Sequence, residues 1–290
     1  MPGFAGLRVL ALERRRSEQI ATLIANSGGV ATVAPAMREV PLESNTEALA
    51  FASRLIAGGF DTVIFLTGVG VRALAAVIEL VHPREQFVEA LRRVTVVARG
   101  PKPVAALREM GVPVTIAVPE PNTWREVLRA LDQHTAPLRD RRLAVQEYGT
   151  SNPELLAGLA ERGALVTAVP VYQWALPENL GPLRSAILAI TRGEIDVALF
   201  TTSVQVSHLL QVAREMSLEE PLCGAFRRIL IGSIGPTTSE ALREHGLDPD
   251  LEPTHPKMGF LVKETADRAA ELLAQKRERE RTQASQKSLP

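Results

Sequence analysis

The chain carries one block of sequence twice in a single unbroken register, so whatever it folds into must be built from two similar halves. Gly100-Pro101 returns as Gly235-Pro236, and at the same offset Ala106-Leu107-Arg108-Glu109 returns as Ala241-Leu242-Arg243-Glu244 and Gly111 as Gly246. Asp61, Phe65, Thr67, Val69, Val71 and Leu74 return as Asp196, Phe200, Thr202, Val204, Val206 and Leu209, and Gly28, Thr32 and Pro35 as Gly163, Thr167 and Pro170. Chance does not hold one register, without net insertion, from Gly28 to Gly111.

Each copy alternates short apolar runs with helical patterns. In the first, LRVLAL (7–12) and VATVAPA (30–36) flank a helix over about 15–27, and DTVIFLT (61–67) runs into a helix from about 69. VTVVARG (94–100) leads into PKPVAALREMG, and VTIAVP (114–119) precedes the helical NTWREVLRALDQ. RRLAVQEYG, LVTAVPVYQ, DVALFTT and ILIGSIG fill the matching strand positions of the second copy. Such alternation predicts an α/β protein with two similar doubly wound parallel-sheet domains and a cleft between them.

Two stretches at equivalent places read as linkers, REVPLES (38–44) and QWALPENLG (173–181). If the chain crosses at both, one lobe holds both chain ends; if the boundary lies between the copies, it falls near APLRDRR (136–142). The residues alone leave both arrangements open. The run from 275 to 290 is charged and poor in apolar residues, which predicts a frayed helix end and a disordered tail.

Composition narrows the function. With 33 basic and 33 acidic residues among 290, there is no cationic excess for a nucleic-acid surface, so any anion site must be local. Cys223 is the single cysteine, which excludes an internal disulfide and a cysteine metal cluster. The opening MPGFAGLRVLALERRR reverses the order of a secretory signal, and no apolar run approaches the roughly 18 residues of a membrane span. The expected location is the cytoplasm. The histidines, His82, His134, His208, His245 and His255, lack paired spacing, so no metal site is expected. Neither a G-x-S-x-G elbow nor a Walker loop is present.

In open α/β sheets, ligands collect beyond the carboxyl ends of the strands. Four turns there have telling composition: Thr67-Gly68-Val69-Gly70, Arg99-Gly100-Pro101-Lys102, Thr201-Thr202-Ser203 and Gly235-Pro236-Thr237-Thr238. Each offers backbone N–H groups at a helix start, supplemented by hydroxyls or a basic side chain. Helix capping alone explains any one of them. Four at duplicated positions point to donors for an anionic ligand. Gly68 to Ala73 also matches a G-x-G-x-x-A dinucleotide fingerprint, but it lies mid-copy and its next strand ends in arginine, so the signal is weak. Tyr148 and Tyr172 sit at strand ends leading into loops, as proton donors or as packing residues.

In their order along the chain, DTVIFLTGVGVRAL, the G-P-x-x-x-x-A-L-R-E-x-G turns, VPVYQ (169–173), DVALFTTSVQVSHLL and IGPTTSEAL (234–242) resemble uroporphyrinogen-III synthase over residues 7–272. The resemblance implies two lobes, one formed by both chain ends: 1–37 with 178–274, against 45–172, joined through 38–44 and 173–181. It implies cyclisation of hydroxymethylbilane to uroporphyrinogen III with loss of water and inversion of ring D. No cofactor or metal is expected; the implied partners are this small-molecule substrate and, transiently, the preceding enzyme of the pathway, with the chain a monomer. By the same resemblance Tyr172 is a proton-donor candidate, and Thr202, Ser203, Thr237 and Thr238 are hydroxyl-bearing substrate turns. Arg15, Arg16, Arg99 and Lys102 are added here on electrostatic grounds.

Two departures stand out. The first-copy turn reads Thr67-Gly68-Val69-Gly70 where the family often has T-S-x-x-G, and Glu147-Tyr148-Gly149 stands where a basic residue is frequent. A carboxylate at 147 repels an anionic substrate unless it is paired or turned away. The rival functions are a two-lobed small-molecule sensor without catalysis and a nucleotide-using enzyme.

Overall fold

The computed structural model describes residues 3–42, 45–134, 137–147, 149 and 151–287. The chain begins β1 (Arg8–Ala11), α1 (Ser17–Asn26), β2 (Val30–Val33), β3 (Arg38–Pro41), α2 (Thr46–Ile56), β4 (Thr62–Phe65), α3 (Gly68–Ile78) and α4 (Arg84–Arg92). It continues through β5 (Thr95–Ala98), α5 (Pro101–Glu109), β6 (Ile116–Ala117), α6 (Trp124–His134), β7 (Arg142–Gln146), α7 (Pro153–Glu161), β8 (Leu165–Val169) and β9 (Tyr172–Ala175). The last elements are α8 (Gly181–Thr191), β10 (Val197–Phe200), α9 (Ser203–Glu215), α10 (Glu219–Ala225), β11 (Leu230–Ser233), α11 (Pro236–Glu244) and α12 (Met258–Lys287).

These elements form two compact units, unit 1 from Met1–Arg38 with Ala175–Pro290 and unit 2 from Glu39–Trp174. Unit 1 holds the parallel sheet β11-β10-β1-β2, and unit 2 the parallel sheet β6-β5-β4-β7-β8. The strand order is the same in both, yet each sheet takes strands from both copies of the repeat. Leu251, the repeat counterpart of Ile116, makes a single parallel bridge to Gly232, so the strand matching β6 has shrunk to one residue in unit 1.

Strand alternation explains why the central runs are apolar at every position. Val63 and Phe65 face one buried cluster of unit 2 while Ile64 and Leu66 face another, and in unit 1 Ala198 and Phe200 oppose Val197 and Leu199 in the same way. Truncating Phe65 or Phe200 to alanine would cost roughly 3–5 kcal/mol. The repeated glycines mark helix exits: Gly28 and Gly163 have φ of 79° and 80°, Gly111 and Gly246 of 72° and 70°, where a Cβ is strained.

Three segments differ from the sequence expectation. The stretch 165–173 is two strands, because Pro170 has no N–H to continue a ladder: β8 ends at Val169 and β9 begins at Tyr172. The segments read as linkers contain β3 and β9, which pair with each other as a two-stranded sheet; positions 43 and 44 of the first linker lie outside the described residues. Of the tail expected to be disordered, 275–287 continue α12, and 288–290 lie outside the described residues. Its Gln, Lys, Arg and Glu residues are strong helix formers. Gln275 Nε2 donates to Glu271 Oε1 at 2.9 Å, and Lys276 Nζ donates to the Ile229 carbonyl at 2.7 Å and to the Asp250 carboxylate.

The amino-terminal edge of each sheet is tied by the same ion pair. Asp61 Oδ2 accepts from the Arg142 backbone N–H at 2.8 Å while Oδ1 accepts from Arg142 Nη2 at 2.8 Å. Asp196 Oδ2 accepts from the Arg8 N–H at 2.9 Å and its Oδ1 from Arg8 Nη2 at 3.0 Å. Each fork sets the register of a central strand pair, β4 with β7 and β10 with β1. The Arg142 guanidinium, then its backbone N–H, hold the Asp61 carboxyl down to about 2 from its ordinary 3.8. The fork therefore contributes its full stability above the ordinary carboxylate range and loses it as pH falls through about 2. We expect Asp61→Asn to lower unfolding free energy by roughly 1–2 kcal/mol at neutral pH, the lower part of that range reflecting solvent screening of the half-exposed Arg142. In urea titrations the gap from wild type should narrow as the solution is acidified; a gap independent of pH would assign the loss to packing.

Candidate functional site

The turns singled out in the sequence all lie at the carboxyl ends of strands, and each unit assembles its own set. In unit 2, Thr67 is the N-cap of α3: its backbone is extended and its Oγ1 accepts from the Gly70 N–H at 3.0 Å. That hydroxyl also lies 3.2 Å from Tyr172 Oη. Tyr172 is 6% exposed and meets Trp174 edge to face at 5.3 Å between ring centroids. Strand β9 thus delivers the tyrosine to the Thr67 turn that follows β4.

Both glycines of that turn are required by close neighbours. A Cβ on Gly68 would stand 2.6 Å from the Lys102 carbonyl oxygen, and one on Gly70 would overlap the Gln146 amide. Gln146, 1% exposed at the end of β7, accepts the Thr67 N–H on Oε1 at 3.4 Å and donates through Nε2 to the Glu147 carbonyl. The space a dinucleotide fingerprint leaves for a phosphate is occupied here by a side chain. Val69 is half-buried in the same first turn of α3.

Beside this turn, Arg99 Nε donates to the Leu66 carbonyl at 3.2 Å, so the guanidinium is drawn onto the backbone of the Thr67 loop. Gly100, with φ of 90°, is the N-cap of α5, and exposed Lys102 lies in that helix's first turn. Glu147 does not act as a bare repelling charge: it is 9% exposed and its Oε1 accepts from Ser151 Oγ at 2.7 Å. Tyr148 lies outside the described residues.

Unit 1 repeats the plan with different parts. Thr201 is turned inward, donating its hydroxyl to Glu13 Oε2 at 2.8 Å and accepting from Gln205 Nε2 at 2.9 Å, while its N–H donates to Gln205 Oε1 at 2.8 Å. Gln205 is the repeat counterpart of Gly70, and the residue after β1 that matches Gln146 is apolar Leu12. An amide oxygen thus receives the turn N–H in both units, from a strand in one and from a helix in the other. Thr202 caps α9 with extended backbone but makes no side-chain capping bond, leaving its half-buried hydroxyl and that of Ser203 to an outside acceptor.

The second turn of unit 1, Gly235 and Pro236 at the start of α11, is pinned from beneath. Ser239 Oγ lies 2.9 Å from Ser233 Oγ and bonds the Glu252 carboxylate, and Ser233 Oγ donates to the Gly235 carbonyl at 3.2 Å. Thr237 is half-buried beside the turn, whereas Thr238 is only 3% exposed. Arg15 and Arg16 are exposed at the approach to α1, on the same edge, where the Arg15 N–H donates to Glu13 Oε1 at 3.1 Å. His208 is a satisfied histidine: its Nδ1 donates to the Ala36 carbonyl at 2.8 Å, and burial pushes its pKa down. Among the described residues no group of three or more His, Cys, Asp or Glu could hold a metal, and no helix is long and apolar enough to cross a membrane.

The sequence reading missed Gln146, Gln205 and Glu13. A polar residue closing an apolar parallel strand is the available signal for Gln146; the amide at 205 opposite a glycine at 70 is the signal for Gln205.

Fold and strand-end turns define a duplicated α/β protein in which each unit is assembled from parts of both repeats and carries donor-rich turns on one edge of its sheet. The model of the family described as uroporphyrinogen-III synthase HemD matches residues 18–263, and the chain belongs to that enzyme family. It is 30% identical over 268 residues to the uncharacterized protein YjjA of Bacillus subtilis (strain 168), covering 91% of this chain and 96% of that one. A protein of Methanothermobacter thermautotrophicus provisionally named uroporphyrinogen-III synthase is 31% identical over 80% of this chain and 87% of its own. Among solved structures, a mutant uroporphyrinogen III synthase of Thermus thermophilus superposes with a TM-score of 0.69 at 27% identity, covering 92% of this chain and 99% of that one.

The contact between Gly70 and Gln146 is directly testable. Gly70→Ala should destabilise by about 1–3 kcal/mol through overpacking. In a double-mutant cycle with Gln146→Ala the two losses should sum to more than the double variant shows, because removing the amide makes room for the methyl. Additive losses in urea unfolding would mean the two positions do not share that space.

Proposed function

We propose that this chain is a uroporphyrinogen-III synthase, a lyase that cyclises hydroxymethylbilane to uroporphyrinogen III with loss of water and inversion of ring D in tetrapyrrole biosynthesis. The observation that carries the reading is the family match over residues 18–263. The duplicated turns are consistent with it, since a linear tetrapyrrole bearing eight carboxylates is held well by many dispersed N–H and hydroxyl donors. Most of the acceleration would come from folding a flexible substrate so that the ring D carbon meets the exocyclic carbon of ring A. The resulting spiro intermediate opens, and ring D recloses reversed.

Tyr172 is assigned the proton for the departing ring A hydroxyl, which leaves as water. Thr67 is placed to support that role: its Oγ1 lies 3.2 Å from Tyr172 Oη, and with its O–H turned toward the phenolic oxygen it would stabilise the charge that develops as the proton leaves. Thr202, Ser203, Thr237 and the N–H groups of Gly68, Val69 and Gly235 are assigned to substrate carboxylates. Arg15, Arg16, Arg99 and Lys102 supply the positive potential around them, and Tyr148 is assigned to the same set.

The deciding experiment supplies freshly generated hydroxymethylbilane and separates the oxidised porphyrin isomers. The type III isomer is expected in excess; only the type I isomer, which forms without enzyme, would leave a non-catalytic binding protein as the reading. Phenylalanine keeps the buried packing of Tyr172, so Tyr172→Phe isolates the hydroxyl. It should lower turnover several-fold with melting temperature unchanged. Wild-type turnover in that variant would remove the role.

A further inference from the structure

At the amino-terminal edge of unit 1's sheet, opposite the end that holds the turns, lies a surface pocket of about 350 Å³. Four arginines, Arg8, Arg192, Arg228 and Arg277, line it against a single carboxylate, Asp196. Asp196 is already engaged in its fork with Arg8. Glu194 lies close enough to act on the Arg8 charge but is not part of the pocket lining.

The duplication supplies an internal control for what this edge needs structurally. Unit 2 has the same Asp–Arg fork, Asp61 with Arg142, and Arg93 stands where unit 1 has Arg228. There Arg93 Nη2 donates to the Ile56 carbonyl at 3.3 Å, and the Arg54 guanidinium lies 4.4 Å above the Phe60 ring. Arg192, however, corresponds to Ala57, and Arg277 on α12 has no counterpart in the repeat. The fold is therefore made at this edge without them. Two cations added to one copy alone, both exposed and converging with two others on a concave surface, raise the local potential at a cost in mutual repulsion.

We propose that this pocket is a second ligand site, specific for a compact multiply charged oxyanion. Guanidinium forks match carboxylate and phosphate oxygens two at a time, and the volume suits a small ligand at the lower end of ordinary binding pockets. It is too small for a linear tetrapyrrole, so the site is distinct from the one assigned to the reaction. An anion seated there bridges Arg277 on α12 to Arg8 on β1 and Arg192 at the C-cap of α8, and clamps α12 onto the rest of unit 1.

The full chain is titrated calorimetrically with sodium diphosphate and, separately, with citrate, at ionic strength held constant with sodium chloride, and its melting temperature is followed. Saturable binding of at least one anion with a rise in melting temperature is expected; preference for diphosphate assigns a phosphoryl ligand and preference for citrate a polycarboxylate. Arg192→Ala with Arg277→Ala should weaken binding about tenfold or more, and Arg192→Ala alone, outside α12, should weaken it measurably. Arg93→Ala, at the corresponding place in unit 2, should leave it intact. Absence of saturable binding by both anions, or wild-type affinity in the double variant, overturns the proposal.

Discussion

Each sheet exists because two strands from opposite halves of the chain lie side by side. β1 pairs with β10 and β4 with β7, and the Asp–Arg forks at their starts join residues far apart along the chain, Arg8 to Asp196 and Asp61 to Arg142. Neither repeat has a complete sheet of its own. The first contributes β1 and β2 to unit 1 and β4, β5 and β6 to unit 2, and the second contributes the remainder. An aspartate that accepts both the N–H and the guanidinium of its partner admits one register, and a slip by one residue would carry every core side chain to the opposite face of the sheet. The forks sit at the edge opposite the donor turns. What they hold in register is, at the far end, the spacing of those turns.

The two units show how one plan tolerates divergence when the physical requirement is kept. Both need an acceptor for the N–H that leads from the central strand into its helix. Unit 2 reaches it with Gln146 from β7, which forces Gly70; unit 1 reaches it with Gln205 from α9, which lets β1 run on into Leu12. The hydroxyls diverge correspondingly. Thr67 is used for capping and for Tyr172, while Thr202 at the matching position makes no cap bond. The two units are therefore unequal at these turns, with an aromatic hydroxyl beside one and a threonine that makes no capping bond at the other.

Much of this was legible from residues alone because burial on both faces leaves parallel strands as unbroken apolar runs, and because turns between strand and helix need Gly, Thr or Ser at fixed places. The repeat register located nearly every strand and all four turns. Other features depend on what lies nearby in space. Gln146 matters only because it fills the volume above Gly70, and that volume has no sequence signature. The correspondence of Arg8 with Arg142 was hidden by a slip of one position, since the repeat register sets Arg8 against Leu143. Pro170 was visible, but its consequence, ending β8 and releasing Tyr172 into another sheet, needed the pairing of β9 with β3. The charged tail looked disordered because composition records solvation, whereas Lys276 finds the Ile229 carbonyl and Asp250.

The discontinuity of unit 1 has a consequence for the order in which this protein is made. Unit 2 is one continuous segment, and every strand of its parallel sheet has been synthesised once Val169 has emerged. Unit 1 must hold β1, α1 and β2 without β10 and β11 until those strands arrive, and α12, which covers one face, follows them. During that interval the apolar face of β1 and α1 is uncovered next to a completed domain. Chains of this design can therefore mature from the middle outward, with β1 and α1 covered only after the segment that forms unit 2 has been made.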